Sequence, residues 1–352
     1  MGLHLNTRIG FADSELVMKN IIQSYSRYQI VQKIASGGMG SVSRAKLLGV
    51  EGFEKTVAIK TLLPRFASDE GFVRRFIAEA KLVATLVHEN IVQVYQLDRV
   101  GDEYFYVQEF VDGISLFDFV EFHKAMQRRL PRQLAIYIAA RAARALAYAH
   151  SRKDNRNRPL NIIHCDICPH NILINREGVP KLTDFGIARA ATIQSSDHVS
   201  GKLAFMSPEQ YNDPQRVTFA SDIYSLGVVL FYMLCNHYSR DVHADRQGVI
   251  QQIRCNYINW EALPDDLPDD LRKILQKMLE FDPANRYKDC HELVQVLEYY
   301  IYRDGYGPTM VTLSRYMHEF MPGYFGKNSG KKNNAPLPPP ESLEQYQVST
   351  EL

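Results

Sequence analysis

The sequence predicts an α+β fold of two lobes, a small β-rich N-terminal lobe with one key helix and a larger, mainly helical C-terminal lobe. Runs of β-branched and aromatic residues, such as 104–110, indicate strands in the first third of the chain. Apolar residues recur at helical spacing further on, as in 133–150 and 270–280. The Asp112-Gly113 pair between these regions is typical of a turn. We therefore expect the two lobes to join near this pair.

The composition is that of a large globular chain. The 352 residues are 45% hydrophobic and 11% aromatic, which is enough for a sizeable core and too apolar for disorder. The 41 Lys and Arg against 40 Asp and Glu give a net charge of +1, which argues against a nucleic-acid binder. Five cysteines are an odd number, and residues 1–20 lack the pattern of a secretory signal, so we expect a cytoplasmic protein without a disulfide framework. The apolar run 223–235 is shorter than the roughly 20 residues of a membrane span and predicts a buried helix.

The helix of the small lobe carries a glutamate on its apolar side. Its apolar stripe consists of Phe72, Phe76, Val83 and Leu86. Glu79 lies within that stripe, where a carboxylate is costly to bury unless it is paired. Lys60, which ends the strand-like run 57–60, is the expected partner, and such a pair would aim the ammonium group at a nucleotide phosphate. The alternative is a solvated lysine at the edge of a strand.

Three glycines lie close together in the segment 34–42. Gly37, Gly38 and Gly40 lack a Cβ, so backbone N–H groups there can approach phosphate oxygens. Taken alone this cluster is a weak signal, because a β-hairpin turn uses the same residues.

Oxygen ligands lie in two further segments. Segment 164–171 reads His-Cys-Asp-Ile-Cys-Pro-His-Asn, and segment 184–186 reads Asp-Phe-Gly. The oxygens of Asn171 and Asp184 are of the kind that suits Mg²⁺ together with substrate phosphates. A separate aspartate that binds no metal, such as Asp166, can orient and deprotonate a hydroxyl group.

In their order along the chain, these segments resemble the motif set of bacterial eukaryotic-like (Hanks-type) serine/threonine protein kinases. The set runs from the glycine-rich loop through Val57-Ala58-Ile59-Lys60, Glu79, the catalytic loop and Asp184-Phe185-Gly186 to Ser207-Pro208-Glu209, and continues with Asp222 and 282–286. The resemblance covers about 28–302 and implies a bilobal protein-kinase fold. The implied domains are an N-terminal extension (1–27), a kinase domain (28–302, with lobes 28–110 and 111–302), a C-terminal helical extension (303–326) and a disordered Pro-containing tail (327–352).

The resemblance implies that ATP binds between the lobes with Mg²⁺, for which Mn²⁺ is an alternative. Lys60 is expected to contact the α- and β-phosphates and to pair with Glu79, while Gln108 takes the gatekeeper position. The other residues expected around the nucleotide are those of the glycine-rich loop (Ile34, Ala35, Gly37, Gly38, Gly40), those that flank adenine (Val42, Ala58, Leu173) and those of the hinge (Glu109, Val111).

For catalysis, the resemblance makes Asp166 the base and Asn171 and Asp184 the Mg²⁺ ligands. Two further expected roles are structural. Glu209 and Arg286 would form a buried pair that anchors the activation segment, and Asp222 would hold the backbone of the catalytic loop.

Two cysteines stand where the family usually has cations. Cys165 replaces the Arg before the catalytic Asp, and Cys168 replaces the Lys that touches the γ-phosphate. Lys202 stands where the family usually has a Thr that neighbours this Lys. We expect an exchange in which Lys202 supplies the missing positive charge, because phosphoryl transfer needs charge neutralisation there. The alternative is that Lys202 points to solvent.

Other interpretations stay open for the same region. Cys165 and Cys168 form a CxxC pattern, for which a zinc site or a redox pair is an alternative. The loop hydroxyls Thr192, Ser195, Ser196 and Ser200 are phosphorylation candidates or simply solvated. Ala35 replaces the first glycine of the loop, with a small expected effect.

The expected function is transfer of the γ-phosphate of ATP to Ser or Thr hydroxyls of protein substrates, including autophosphorylation. The alternatives are a pseudokinase scaffold, since two catalytic-loop cations are missing, and a small-molecule phosphotransferase, which Ser207-Pro208-Glu209 disfavours. In the flanks, Met310, Leu313, Met317 and Phe320 recur at helical spacing. This helix either packs on the large lobe or docks a partner, and the proline run 336–340 is either a partner motif or solvated tail.

Overall fold

A five-stranded antiparallel sheet forms the small lobe. The computed structural model describes residues 26–36, 40–185 and 200–325. The strands are β1 (Arg27–Ser36), β2 (Gly40–Leu48), β3 (Glu54–Leu62), β4 (Val94–Val100) and β5 (Glu103–Glu109). Their order across the sheet is β1-β2-β3-β5-β4. The prediction of a β-rich N-terminal lobe is confirmed.

Strand β3 lies in the middle of this sheet, and its two faces have different surroundings. Ile59 packs with Val107 in a small apolar cluster on one face. Because successive side chains point to opposite faces of a strand, Lys60 lies on the other face, opposite Tyr106 of β5. The sheet therefore fixes the height and direction from which the Lys60 side chain enters the cleft.

Two helices, α1 (Pro64–Ala67) and α2 (Glu70–Val83), connect β3 to β4. The side chain of Asp69 caps α2 by accepting hydrogen bonds from the first backbone N–H groups of the helix. Phe76, Glu79 and Val83 are buried, as the predicted stripe requires.

The predicted stripe was wrong at its C-terminal end. Leu86 is buried, but it lies three residues beyond the last residue of α2. The backbone forms a tighter, 3₁₀-type turn there, because the N–H of Leu86 donates to the carbonyl of Val83 at 2.9 Å. This i→i−3 bond ends the α-helical pattern.

The large lobe is mainly helical and includes a small antiparallel sheet of β6 (Gly113–Ser115), β7 (Ile172–Asn175) and β8 (Pro180–Leu182). Its helices are α3 (Leu116–Ala125), α4 (Arg132–His150), α5 (Ser200–Leu203), α6 (Pro208–Asn212), α7 (Phe219–Cys235), α8 (Arg246–Arg254), α9 (Asp269–Met278) and α10 (Cys290–Tyr302). Single 3₁₀ turns lie at Val50–Gly52, Pro169–Asn171, Pro214–Arg216, Trp260–Ala262 and Pro283–Asn285.

Helix α7 forms the centre of the large lobe. Every residue from Ser221 to Cys235 is buried, so the long apolar run of the sequence is a core helix, as predicted. Thr218 caps its start, and Asn236 ends it in the left-handed conformation with φ 57°. Within the described part of the chain, no helix is both long and apolar enough to cross a membrane.

Two helices follow the kinase-like region, α11 (Met310–Phe320) and α12 (Pro322–Phe325). They pack on the large lobe, with Leu313 and Met317 fully buried. Met310, which the sequence placed in the same apolar stripe, is half exposed, because the first turn of α11 lies at the rim of the contact. The hydroxyl of Ser314 donates to the carbonyl of Arg176 at 2.7 Å, so α11 covers the turn between β7 and β8.

Candidate active site

Three charged side chains from both lobes meet in the cleft. The Nζ of Lys60 on β3 lies 3.2 Å from Oε1 of Glu79 on α2 and 2.7 Å from Oδ1 of Asp184, which follows β8. Tyr106 of β5 donates its hydroxyl to the same Glu79 oxygen at 3.1 Å. The ion pair expected between Lys60 and Glu79 is thus present, and Asp184 joins it from the other lobe.

The electrostatics of this cluster follow from burial and mutual attraction. Burial alone would lower the pKa of Lys60, but the negative charges of Asp184 and Glu79 outweigh it and hold that pKa well above its ordinary value. Burial raises the pKa of Glu79, and Lys60 offsets only part of this effect. The pKa of Asp184 is lowered, because Lys60 overcomes the opposing effect of burial. Two carboxylates therefore share one ammonium group, so a further positive charge would be needed to balance them.

Asp166 and Asn171 are joined within the catalytic loop. The Nδ2 of Asn171 donates to the carbonyl oxygen of Asp166 at 2.7 Å and to its carboxylate Oδ2 at 2.8 Å. The 3₁₀ turn Pro169–Asn171 brings the two side chains together. Because its nitrogen is used in this way, Asn171 presents its amide oxygen as the ligand atom for a metal.

The donor set of the cleft fits a Mg²⁺ nucleotide. Asn171 and Asp184 offer an amide oxygen and a carboxylate, which are hard oxygen ligands. Glu79 and Asp184 together bring two negative charges to the single ammonium group of Lys60. A divalent cation here would neutralise the excess carboxylate charge and would draw the phosphates toward Lys60.

Lys202 lies next to the catalytic loop. It belongs to α5, and its Nζ is 3.6 Å from Oδ2 of Asp166. The side chain is about one-third exposed, so it contacts Asp166 while it remains accessible to water. Cys168 is buried and carries no charge into this space.

Asp222, in the first turn of α7, holds the backbone of the loop that carries Asp166, as expected from the sequence. Its carboxylate accepts hydrogen bonds from the N–H groups of His164 and Cys165 at 2.8 and 2.9 Å. Nε2 of His150 approaches the same carboxylate at 2.8 Å. Cys165 has φ 60°, a strained value for a residue with a side chain, and Asp222 holds it there.

Sequence reasoning missed a second support of Cys165. Nε2 of Gln210 on α6 donates to the carbonyl oxygen of Cys165 at 2.9 Å, and its Oε1 accepts from the N–H of Ser207. Gln210 follows the Ser-Pro-Glu motif directly, and this position was the available signal. It ties the loop before Asp166 to the segment that follows Lys202.

Glu209 and Arg286 form the expected buried pair. Nη1 and Nη2 of Arg286 donate to the two carboxylate oxygens of Glu209, at 2.6 and 2.9 Å. The hydroxyl of Ser221 also donates to this carboxylate, at 2.7 Å. Burial alone would raise the pKa of Glu209, but the hydrogen bonds from Arg286 and the positive charge of that arginine outweigh burial and lower this pKa. The segment that begins with Ser207 is therefore anchored to the base of the large lobe.

The residues expected around adenine lie on three strands and the hinge. Val42 on β2 pairs with Lys60, and Ala58 on β3 is buried opposite Gln108. Leu173 is on β7 of the large lobe, on the other side of the cleft entrance. Ile34 and Ala35 are on β1, while Gly37 and Gly38 lie outside the described residues.

Gly40 stands at a position where a side chain would not fit. A Cβ at Gly40 would lie 2.9 Å from the carbonyl oxygen of Thr61, so only glycine fits between the paired strands there.

The backbone of the hinge residue Glu109 is partly used by the protein itself. The N–H of Glu109 donates to the carbonyl of Gln93, and its side chain pairs with Lys181 at 3.0 Å. The N–H of Glu109 is therefore already used, and Val111 would have to supply the N–H donor to adenine.

The CxxC pattern shows neither disulfide nor zinc geometry in the described residues. Cys165 and Cys168 are not bridged, and within the described ranges no group of three or more His, Cys, Asp or Glu is placed to hold a metal. Burial raises the pKa of the Cys165 thiol, which keeps it protonated and poorly nucleophilic. Thr192, Ser195 and Ser196 lie outside the described residues, and Ser200 begins α5.

The profile of the protein kinase domain matches residues 28–297 of this chain. The chain belongs to the protein kinase family. Among curated relatives, the tyrosine-protein kinase MasK of Myxococcus xanthus is 32% identical over 87% of this chain and 47% of its own length. The serine/threonine-protein kinase PrkC of Bacillus subtilis is 33% identical over 76% of this chain and 39% of its own. PknL of Mycobacterium tuberculosis, also a serine/threonine-protein kinase, is 32% identical over 75% of this chain and 63% of its own.

Solved kinase structures share the fold. The PknI kinase domain of Mycobacterium tuberculosis superposes with a TM-score of 0.56 at 24% identity, over 77% of this chain and 95% of that one. Rad53 in complex with AMP-PNP gives 0.60 at 24% identity, over 76% and 64%. The bilobal protein-kinase fold expected from the motif order is confirmed. The chain spans less than half the length of MasK and PrkC.

Proposed function

We propose that this chain transfers the γ-phosphate of Mg-ATP to serine or threonine hydroxyls of proteins, its own activation segment included. The observation that carries the proposal is the meeting of the lobes at Lys60, Glu79 and Asp184, with Asp166 and Asn171 beside them. These are the residue types that phosphoryl transfer uses to bind phosphates, hold Mg²⁺ and accept the proton of the hydroxyl group. The serine/threonine kinases among the curated relatives support the same activity.

In the proposed reaction, the oxygen of the substrate hydroxyl attacks the γ-phosphorus, and the bond from that phosphorus to the β,γ-bridging oxygen breaks. ADP leaves with the electron pair, and the hydroxyl proton passes to the carboxylate of Asp166. Mg²⁺ held by Asn171 and Asp184 would neutralise charge on the phosphates. Lys60 holds the α- and β-phosphates, and Glu79 keeps Lys60 in place.

Lys202 completes this arrangement in our proposal. The catalytic loop carries Cys168 where the family has a lysine, so it supplies no positive charge there. Its closest counterpart is the ammonium group of Lys202, whose distance of 3.6 Å from Asp166 supports its taking over the missing charge. Lys202 would bind the γ-phosphate as charge develops on it.

Label incorporation from [γ-³²P]ATP in the wild type and in Asp166→Asn tests the proposal. We expect incorporation into a general protein substrate and into the chain itself, reduced by about 10³-fold or more in the variant, since positioning by the other groups remains. Equal or absent incorporation in the two proteins would contradict the proposal and favour a scaffold.

Acid hydrolysis of the labelled products then identifies the acceptor. Phosphoserine or phosphothreonine is expected. Phosphotyrosine as the main product would contradict the proposed serine/threonine specificity and would agree with the tyrosine kinase activity in the name of MasK.

A further inference from the structure

A buried arginine lies directly beneath the segment that carries Lys202. Arg240 is 2% exposed, and within the described residues no carboxylate pairs with its guanidinium group. Its Nε has no hydrogen-bond partner there either. An unpaired buried cation is costly, so a role other than core stability is expected of it.

The donors of Arg240 go to the backbone of that segment. Nη1 donates to the carbonyl oxygens of Ala204 and Met206, at 2.6 and 3.0 Å. Nη2 donates to the hydroxyl of Tyr224 at 2.6 Å, and this hydroxyl in turn donates a hydrogen bond to Oδ1 of Asn256 at 2.6 Å. One guanidinium group thus links the segment to the central helix α7.

Side chains hold this segment as well, since Leu203 and Phe205 are buried and Phe205 contacts the rings of Tyr232 and Tyr238. In the backbone, the N–H of Phe205 donates to the carbonyl of Lys202 at 3.2 Å, and the N–H of Met206 donates to that of Leu203 at 3.0 Å. These two turns use the carbonyls of Lys202 and Leu203, whereas the carbonyls of Ala204 and Met206 accept from Arg240. Lys202 stands at the start of the first turn.

We propose that Arg240 is a positioning residue, which fixes segment 202–207 so that the ammonium group of Lys202 stays at the catalytic loop. The proposal rests on the proposed phosphotransfer and on the part of Lys202 in it. Arg240 touches neither substrate nor nucleotide, and acts through the backbone of Ala204 and Met206. The nucleotide side of the cleft, at Lys60 and Glu79, is independent of it.

Steady-state kinetics with Arg240→Met, Arg240→Lys and Lys202→Met test this role. Arg240→Met should lower kcat for protein phosphorylation about tenfold or more and leave KM for ATP within about twofold, because the groups that hold the nucleotide are unchanged. Arg240→Lys should recover part of the loss, since an ammonium group still donates to one carbonyl. Arg158→Met, at an exposed arginine paired with Asp154, is the matched control and should behave as the wild type.

The double variant distinguishes positioning from a general loss of structure. If Arg240 acts through Lys202, Arg240→Met in the Lys202→Met background should lower kcat by no more than about twofold further. Effects that multiply, or a KM for ATP that rises together with the fall in kcat, would overturn the proposal.

A readout that does not need activity separates this proposal from the proposed function. Amide hydrogen exchange at Phe205 and Met206 should be at least about tenfold faster in Arg240→Met than in the wild type and in Arg158→Met. Unchanged exchange rates would overturn the positioning role even in an active kinase. Absent label incorporation in the wild type with accelerated exchange would overturn the phosphotransfer instead.

Discussion

At the scale of single residues, the distinctive feature is the origin of the two lysines that we propose to take part in catalysis. Lys60 lies on the sheet of the small lobe, whereas Lys202 lies on α5 of the large lobe. One carboxylate oxygen of Asp166, Oδ2, accepts a hydrogen bond from Asn171 and lies 3.6 Å from the ammonium group of Lys202. In the proposed reaction, a positive charge at this point acts where charge develops in the transition state.

Replacing Lys202 by methionine is predicted to lower kcat about 10²-fold while KM for ATP changes little, since the loss falls on the transition state. Initial rates over a range of ATP concentrations measure both constants. Lys277→Met is the control, because Lys277 is comparably exposed and pairs with Glu292 away from the cleft. An unchanged kcat in Lys202→Met would refute the exchange of cations.

The sequence was informative about single residues where chemistry constrains their type. Lys60, Glu79, Asp166 and Asn171 could be selected because a buried carboxylate needs a cation and a metal needs oxygen ligands. Gln210 and Arg240 could not be selected in this way. They act on backbone carbonyls that only the tertiary structure brings near, 45 and 36 residues away along the chain.

At the scale of elements, the contact of α11 with the large lobe depends on a glycine. Gly178, in the turn between β7 and β8, has φ 78°, and a Cβ on it would lie 2.1 Å from the carbonyl oxygen of Met310. Since backbone cannot move aside as a flexible side chain can, α11 sits against this turn only because Gly178 lacks a side chain.

Gly178→Ala is predicted to destabilise the protein by about 2–4 kcal/mol, as backbone strain and the clash with α11 add together. Gly52→Ala is the control, because Gly52 has φ 79° with open space around it, and should cost only about 1–2 kcal/mol. Denaturant unfolding of both variants measures the difference. Equal losses of stability in the two variants would contradict a close contact between α11 and the turn at Gly178.

A second contact of α11 contains a buried histidine. His123 on α3 donates from Nδ1 to the carbonyl of Phe119 and accepts at Nε2 from the hydroxyl of Tyr316 on α11 at 2.8 Å. Phe320 stacks on the same ring at 4.4 Å. Burial lowers the pKa of His123 to about 4, so the ring is neutral at physiological pH.

This histidine predicts a stability loss in mild acid. Its folded pKa lies below its unfolded value, so between about pH 6.5 and 4 the unfolded chain binds the extra proton. The free energy of unfolding should therefore fall by roughly 3 kcal/mol more in the wild type than in His123→Phe over this interval. Denaturant unfolding at both pH values measures the two changes, and parallel losses in the two proteins would contradict the prediction.

At the scale of the whole molecule, the sequence predicted the two lobes, their order and a helical extension over 303–326, but it left open whether that extension packs on the large lobe. Strand and helix periodicity depend on local patterns, which are read directly from the chain. The boundary near residue 302 came from the resemblance, whereas α11 and α12 contribute buried residues to the core of the large lobe as far as Phe325. Tyr324 also donates its hydroxyl to the carbonyl of Gly113, next to the hinge.

The two lobes should respond together to nucleotide and metal. Mg-ATP is predicted to raise Tm of the wild type by several degrees at about 100-fold excess over Kd, because a ligand that binds only the folded state stabilises it. Asp184→Asn should lose most of this shift, and so should the wild type with ATP and EDTA. Asp102→Asn, at an exposed aspartate paired with Arg99, should keep it. A full shift in Asp184→Asn would contradict the assigned metal ligand.

The bond between Lys60 and Asp184 has a kinetic consequence. It joins the small lobe to the large lobe at 2.7 Å. In the proposed reaction Asp184 binds the metal and Lys60 binds the phosphates, so entry of Mg-ATP would have to break this bond. We therefore predict that nucleotide association is slower than diffusion alone would allow, because the cleft has to open first, and that the metal enters together with the phosphates.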